Sequence, residues 1–110
     1  MSVYNRDMRI CISSDYNYIL NNGVKYNSKS FILFCLKKKC GPTRLGIIAS
    51  KKVGGAVLRN YLKKVFRDIY RNEYNNFRNS LDMVIILKKN AQNFSYSQLK
   101  SEFICISNRL

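Results

Sequence analysis

Apolar and polar positions along this chain change period several times, and each change marks an element. In the middle of the chain Leu58, Leu62, Val65 and Ile69 recur four, three and four apart, the period of an amphipathic helix. At about 100° per residue these four fill an arc of roughly 60°, while Asn60, Lys63, Lys64, Arg67 and Arg71 fall within about 100° on the opposite side. This helix begins near Ala56, after Gly54-Gly55, and ends around Tyr74 to Asn76. Residues 31–36 (FILFCL) and 81–87 (LDMVIIL) are apolar at odd and even positions alike, which predicts strands covered on two faces. Residues 44–50 (RLGIIAS) read as a further strand, in which Gly46 marks a bulge or the close approach of another backbone. A short strand near 24–29 forms a hairpin with FILFCL. A first helix starts at Ser13 or Ser14, either of which can cap its free amides, and stops at Gly23. Tyr16 and Leu20 share one face of it, with Ile19 beside them, and such a pair is ordinarily core. The last helix opens on a capping box, Ser95 with Gln98, and a hydrophobic staple, Phe94 with Leu99. Its apolar positions Leu99, Phe103, Ile106 and Leu110 keep helical spacing. Residues 1–12, with Arg6 and Arg9, read as a flexible basic arm. Helix, two or three strands, helix, strand, helix describes one α+β domain over 1–110, built on a single sheet.

Charge changes the picture of the middle helix. The chain carries 20 Lys and Arg against 6 Asp and Glu, a formal net charge of +14, yet is 46% hydrophobic. It is therefore a folded domain whose excess charge implies a polyanionic partner. A membrane surface fits poorly: the longest apolar runs are strand-sized, and the start, MSVYNRDMRI, lacks the apolar core of a signal peptide. A soluble, cytoplasmic protein without membrane or small-molecule ligand is expected. Seven of the cations, Lys51, Lys52, Arg59, Lys63, Lys64, Arg67 and Arg71, fall within 51–71, where Asp68 is the single acid. Ordinary solvated helix faces mix signs and support themselves with Glu–Lys pairs. This face reads as a phosphate-binding one. Gly54-Gly55, between Lys51-Lys52 and Arg59-Asn60, lets backbone amides approach a phosphate at a helix N-terminus.

Catalytic chemistry is missing from the pattern. There is no histidine, and the cysteines Cys11, Cys35, Cys40 and Cys105 form no C-x-x-C pair, so neither a metal centre nor a hydrolase triad is expected. Cys35 and Cys105 lie among apolar neighbours and read as small core residues, reduced in a cytosolic protein. The six acids are scattered, and neither a G-x-x-x-x-G-K-[ST] nor a G-x-G-x-x-G loop occurs. Binding remains, through cations for phosphates and aromatic or apolar faces for unstacked bases.

Residues 44–71, RLGIIASKKVGGAVLRNYLKKVFRDIYR, resemble the signature of the bacterial ribonuclease P protein subunit, R-x-G-x-x-x-S-K-K-x-G-N-A-V-x-R-N-R-x-K-R-x-x-R-E. Arg44, Gly46, Ser50, Lys51, Lys52, Gly54, Ala56, Val57, Arg59, Asn60, Lys63 and Arg67 match outright; Lys64 and Asp68 are conservative changes. Upstream, Asp15-Tyr16 through Gly23 is similar to the family's D-F-x-x-V-F-x-x-G. Two departures lie inside the signature, Gly55 for Asn and Tyr61 for the last Arg of Arg-Asn-Arg. Cys11 and Ile12 are neutral where family members are often basic.

The resemblance implies an α+β fold of three helices on a four-stranded sheet, with a left-handed crossover through the basic helix, akin to a ribosomal-protein domain. It implies the protein subunit of a ribonucleoprotein endonuclease that removes the 5′ leader from precursor tRNA. The isolated protein would be inactive, because the ribonuclease P RNA performs the hydrolysis and holds the catalytic Mg²⁺, with no cofactor on the protein. Lys51, Lys52, Gly54, Arg59, Asn60, Lys63, Lys64, Arg67 and Arg71 would dock on that RNA. Tyr16, Leu20 and Phe34 would line a cleft for the single-stranded leader, Leu20 standing where Phe is usual. The alternative of another class is a general RNA-binding module, a ribosomal protein or RNA chaperone without part in catalysis. A DNA-architectural protein lacks an obvious wedge.

Overall fold

The computed structural model describes residues 10, 13–77 and 80–110. The basic arm expected over 1–12, with Cys11 and Ile12, lies outside the described residues apart from Ile10, as do Arg78 and Asn79. The elements are α1 (Ser13–Asn22), β1 (Val24–Asn27), β2 (Phe31–Lys38), β3 (Arg44–Ile48), α2 (Ala56–Glu73), β4 (Ser80–Leu87) and α3 (Tyr96–Ser107). Two 3₁₀ turns, Tyr74–Asn76 and Lys89–Asn93, join them.

The four strands form one sheet in the order β1-β2-β4-β3. β1 and β2 make an antiparallel hairpin, β2 and β4 are antiparallel, and β3 and β4 run parallel, which makes α2 the crossover between them. The two runs apolar on both faces are the central strands β2 and β4. On one face Phe31, Leu33 and Cys35 of β2 and Leu81, Met83, Ile85 and Leu87 of β4 meet α2 and α3 in the main core. Among the described residues the other face is covered by α1 and Ile10, through a smaller cluster of Ile10, Ile19 and Val84. Among the described residues no helix is long and apolar enough to cross a membrane.

α2 buries more than its spacing predicts. Leu62, Val65 and Ile69 are buried as expected, but so are Phe66 and Tyr70, widening the arc to roughly 140°. Leu58 sits at the rim of the core and is only partly buried. The cause is double contact, since α2 packs on the sheet and on α3 together. Phe66 meets Phe31 edge-on, with ring centroids 5.1 Å apart. The Tyr70 hydroxyl, carried into the core, donates to Thr43 O at 2.8 Å, so the polar end is satisfied.

Three other expectations change. Gly46 marks neither a bulge nor a backbone approach: β3 pairs with β4 without interruption, Gly46 opposite Val84. Cys105 is exposed on α3, not core; its apolar neighbours Ile104 and Ile106 each lie about 100° away around the helix. β3 stops at Ile48, before Ser50, because Ser50 O accepts the Val53 N–H and starts a turn. Cys35 is buried as expected, and burial pushes its thiol up to about 11. The capping box at Ser95 and Gln98 is complete in both directions.

Candidate nucleic-acid interface

Lys51 and Lys52 project from the tip of the turn after β3. That turn is closed by Val53 N–H to Ser50 O at 3.0 Å and anchored by the buried Val53 side chain. Gly54 follows at φ +154°, a backbone that side chains rarely adopt, and a Cβ there would stand 2.5 Å from Leu58 Cδ2. Gly55 is the N-cap of α2 in extended conformation, and its own side-chain position is empty space. The glycine pair therefore does two things: the first makes the turn, the second leaves the helix amides uncovered. Replacing Gly55 by Asn, the family's residue, should fit without strain and cap the helix, raising stability by a few tenths of a kcal/mol in urea unfolding.

Along α2, Asn60 and Lys64 are exposed, whereas Arg59, Lys63, Arg67 and Arg71 are partly buried. Arg59 Nε is out of solvent with no acceptor among the described residues. Arg71 differs from the rest, because its Nη2 is 2.9 Å from Asp68 Oδ1. Asp68 also accepts from the Tyr96 hydroxyl at 2.6 Å, and with Arg71 this holds its carboxyl below the usual range. The one acid of the stretch is thus committed to Arg71 and α3. Arg71 offers less free charge than the sequence implies.

The opposite face of the sheet is organised by strand register into three rows. Leu36, Asp82 and Arg44 stand side by side in the first, Phe34, Val84 and Gly46 in the second, Ile32, Ile86 and Ile48 in the third. The first row is polar at its centre. Arg44 grips Asp82 with two bonds, Nε to Oδ1 at 2.9 Å and Nη2 to Oδ2 at 2.8 Å, and reaches Asp15 of α1 at 3.3 Å. Lys38 Nζ adds a third contact to Asp82 at 3.0 Å. Burial by itself would raise the Asp82 carboxyl; hydrogen bonds from Arg44 and Lys38 outweigh it and hold the carboxyl below its ordinary value. The hydrogen bonds to Asp82 in turn raise Arg44 further.

The second row carries the aromatic site. A Cβ on Gly46 would lie 2.5 Å from Tyr16 Cε1 and 2.6 Å from its Cζ, so the glycine is there because the Tyr16 ring rests against the strand. The ring is fixed at its far end as well, its hydroxyl donating to Ile10 O at 3.1 Å. Tyr16, Leu20 and Phe34 all pack against the Ile10, Ile19 and Val84 cluster, each partly exposed. The structure brings the three together on that one cluster. The third row was missed: Ile32, Ile48 and Ile86 form a partly exposed apolar strip. Ile48 stands three residues before Lys51. Only register aligns them, since each isoleucine by itself looks like an ordinary strand residue.

The family model described as Ribonuclease P matches residues 4–110. The ribonuclease P protein component of Finegoldia magna is 37% identical over 99 residues, covering 90% of this chain and 87% of that protein. That of Clostridium botulinum is 28% identical over 100 residues, covering 90% of each. The solved structure of the Staphylococcus aureus RNase P protein superposes with a TM-score of 0.83 at 25% identity, covering 93% of this chain and 94% of that one. The Thermotoga maritima RNase P protein shares the fold, with a TM-score of 0.84 over 93% of this chain and 96% of that one.

Proposed function

The chain belongs to the ribonuclease P protein family, the protein component of an endoribonuclease that matures tRNA 5′ ends, and from that premise we propose how its two surfaces divide the work. The turn and α2 (Lys51, Lys52, Gly54, Arg59, Asn60, Lys63, Lys64 and Arg67, with Arg71 in a lesser role) dock on the ribonuclease P RNA. The α1 face, with Tyr16, Leu20 and Phe34, takes the single-stranded leader of precursor tRNA, and the Ile32, Ile86 and Ile48 strip continues its path toward Lys51. Hydrolysis and its Mg²⁺ belong in this reading to the RNA. Every acid among the described residues is already engaged inside the protein: Asp15 and Asp82 by Arg44, Asp68 by Arg71 and Tyr96, Glu73 by Asn76, Glu102 by Ser28 and Ser30. The observation that carries the docking surface is the run of cations on α2 whose single acid is spent on Arg71.

Binding of the cognate ribonuclease P RNA over a salt series tests it. Replacing Lys63, Lys64 and Arg67 together by Ala should flatten the log–log salt slope by about two units, at roughly 0.7–0.9 per phosphate lost. Adding Arg71→Ala should change the slope by much less than one further contact, because Asp68 already neutralises that guanidinium. An unchanged slope in the triple variant, with circular dichroism showing an intact fold, would move the RNA to another face.

A further inference from the structure

Large apolar side chains exposed among the described residues are Tyr18, Val24, Val57 and Tyr61. Exposed apolar residues scattered singly are ordinary. Val57 and Tyr61 are not scattered: they stand four apart on α2, at 86% and 58% exposure, adjacent on the same helix row. The fold makes little use of Tyr61, since it donates no hydrogen bond and meets no other ring among the described residues. Around the pair lie the exposed Asn60 and Lys64, and Lys51 and Lys52 project beyond the helix start. A protein partner would find two apolar side chains ringed by cations. RNA offers what fits both features at once, flat unstacked bases on a chain of phosphates.

We infer that the Tyr61 ring, walled on one side by Val57, stacks on an unpaired base of the RNA that docks along α2. Tyr61 stands where the family pattern carries the second Arg of Arg-Asn-Arg. One phosphate contact is thereby exchanged for a stacking contact, with Lys64 one turn away to hold the flanking phosphate. The inference rests on α2 being the RNA-docking helix and adds the kind of nucleotide it meets there, one free of base pairing.

The test is equilibrium binding of the cognate ribonuclease P RNA transcript to the whole protein and to Tyr61→Ala, Tyr61→Phe and Lys64→Ala across a salt series. Tyr61→Ala should weaken binding about 5- to 150-fold, the range for losing one base–aromatic stack, while leaving the salt slope unchanged. Tyr61→Phe should bind within about twofold of the parent, since the ring and not the hydroxyl carries the contact. Lys64→Ala should instead lower the slope by about 0.7–0.9. Melting temperatures should stay close to the parent for all three, because none of these side chains is buried. Parent-like affinity for Tyr61→Ala overturns the inference, as does an equal loss for Tyr61→Phe. If Tyr61→Ala is parent-like while the Lys63, Lys64 and Arg67 variant binds poorly, stacking fails and the docking helix stands. If neither binds differently from the parent, the docking reading itself is wrong.

Discussion

Asp82→Ala should destabilise the protein by about 3 kcal/mol, the low end of the cost of breaking a buried ion pair from one side. The side chain is 7% exposed and receives Arg44 through two hydrogen bonds and Lys38 through a third contact. Removal leaves Arg44 and Lys38 without the carboxylate they share. Their own side chains are 27% and 21% exposed, so water can reach them, which is why the low end applies. The loss should also loosen α1, because Asp15 is held to the sheet through the same Arg44. Urea unfolding of parent and variant measures the difference, and a loss under about 1 kcal/mol would mean that the cluster is a solvated surface pair. The pH dependence follows from the direction of the Asp82 shift. Its folded value is depressed below the ordinary 3.8, so its contribution is fully present above that pH and disappears as pH falls through the folded value. The parent should therefore lose stability steeply below about pH 4, and Asp82→Ala should lose less over the same interval.

Tyr16→Ala should weaken binding of precursor tRNA with a leader of several nucleotides by roughly 5- to 150-fold, while leaving a single-nucleotide leader nearly unaffected. Stacking of an unpaired base on an aromatic ring contributes about 1–3 kcal/mol, and only the long leader reaches the ring. The ring is partly exposed, so its removal should cost about 2 kcal/mol of stability, short of the 3–5 kcal/mol for a fully buried aromatic. Gly46→Ala provides the second variant, since its new methyl would lie 2.5 Å from the ring and push it off the strand. The same selective loss is expected with the tyrosine still present. Lys51→Ala and Lys52→Ala should affect both substrates equally, through the shared RNA. Equal loss on both leaders for Tyr16→Ala, with a large drop in melting temperature, would return Tyr16 to the core.

Much of this interface could be read along the chain. The 3.6-residue period of Leu58, Leu62, Val65 and Ile69 located α2, and the Ser95–Gln98 pair located the start of α3, because both signals act within one or two turns. What failed was of longer range. Phe66 and Tyr70 escaped the apolar stripe because the second surface covering α2 is α3, an element some thirty residues further on, and period alone counts one surface. Cys105 was misplaced for the related reason that neighbours in sequence are not neighbours on a helix face.

The sequence by itself determined the elements, the polyanionic partner and the family, because these depend on residue type, spacing within a few positions and ordered identity over 44–71. Only the tertiary structure decided which charges remain free and which surfaces stay open. Arg44 and Asp82 are 38 residues apart and become a partly buried pair only through the parallel register of β3 with β4. Gly46 looked like a backbone feature and is a seat for the Tyr16 ring, 30 positions away on α1 and brought there by packing. Arg71 counted as a free cation until Asp68, oriented by Tyr96, claimed it. Long-range pairing carries almost no local signature, because each partner alone satisfies ordinary rules for its own element, and the availability of a charge depends on what folds against it.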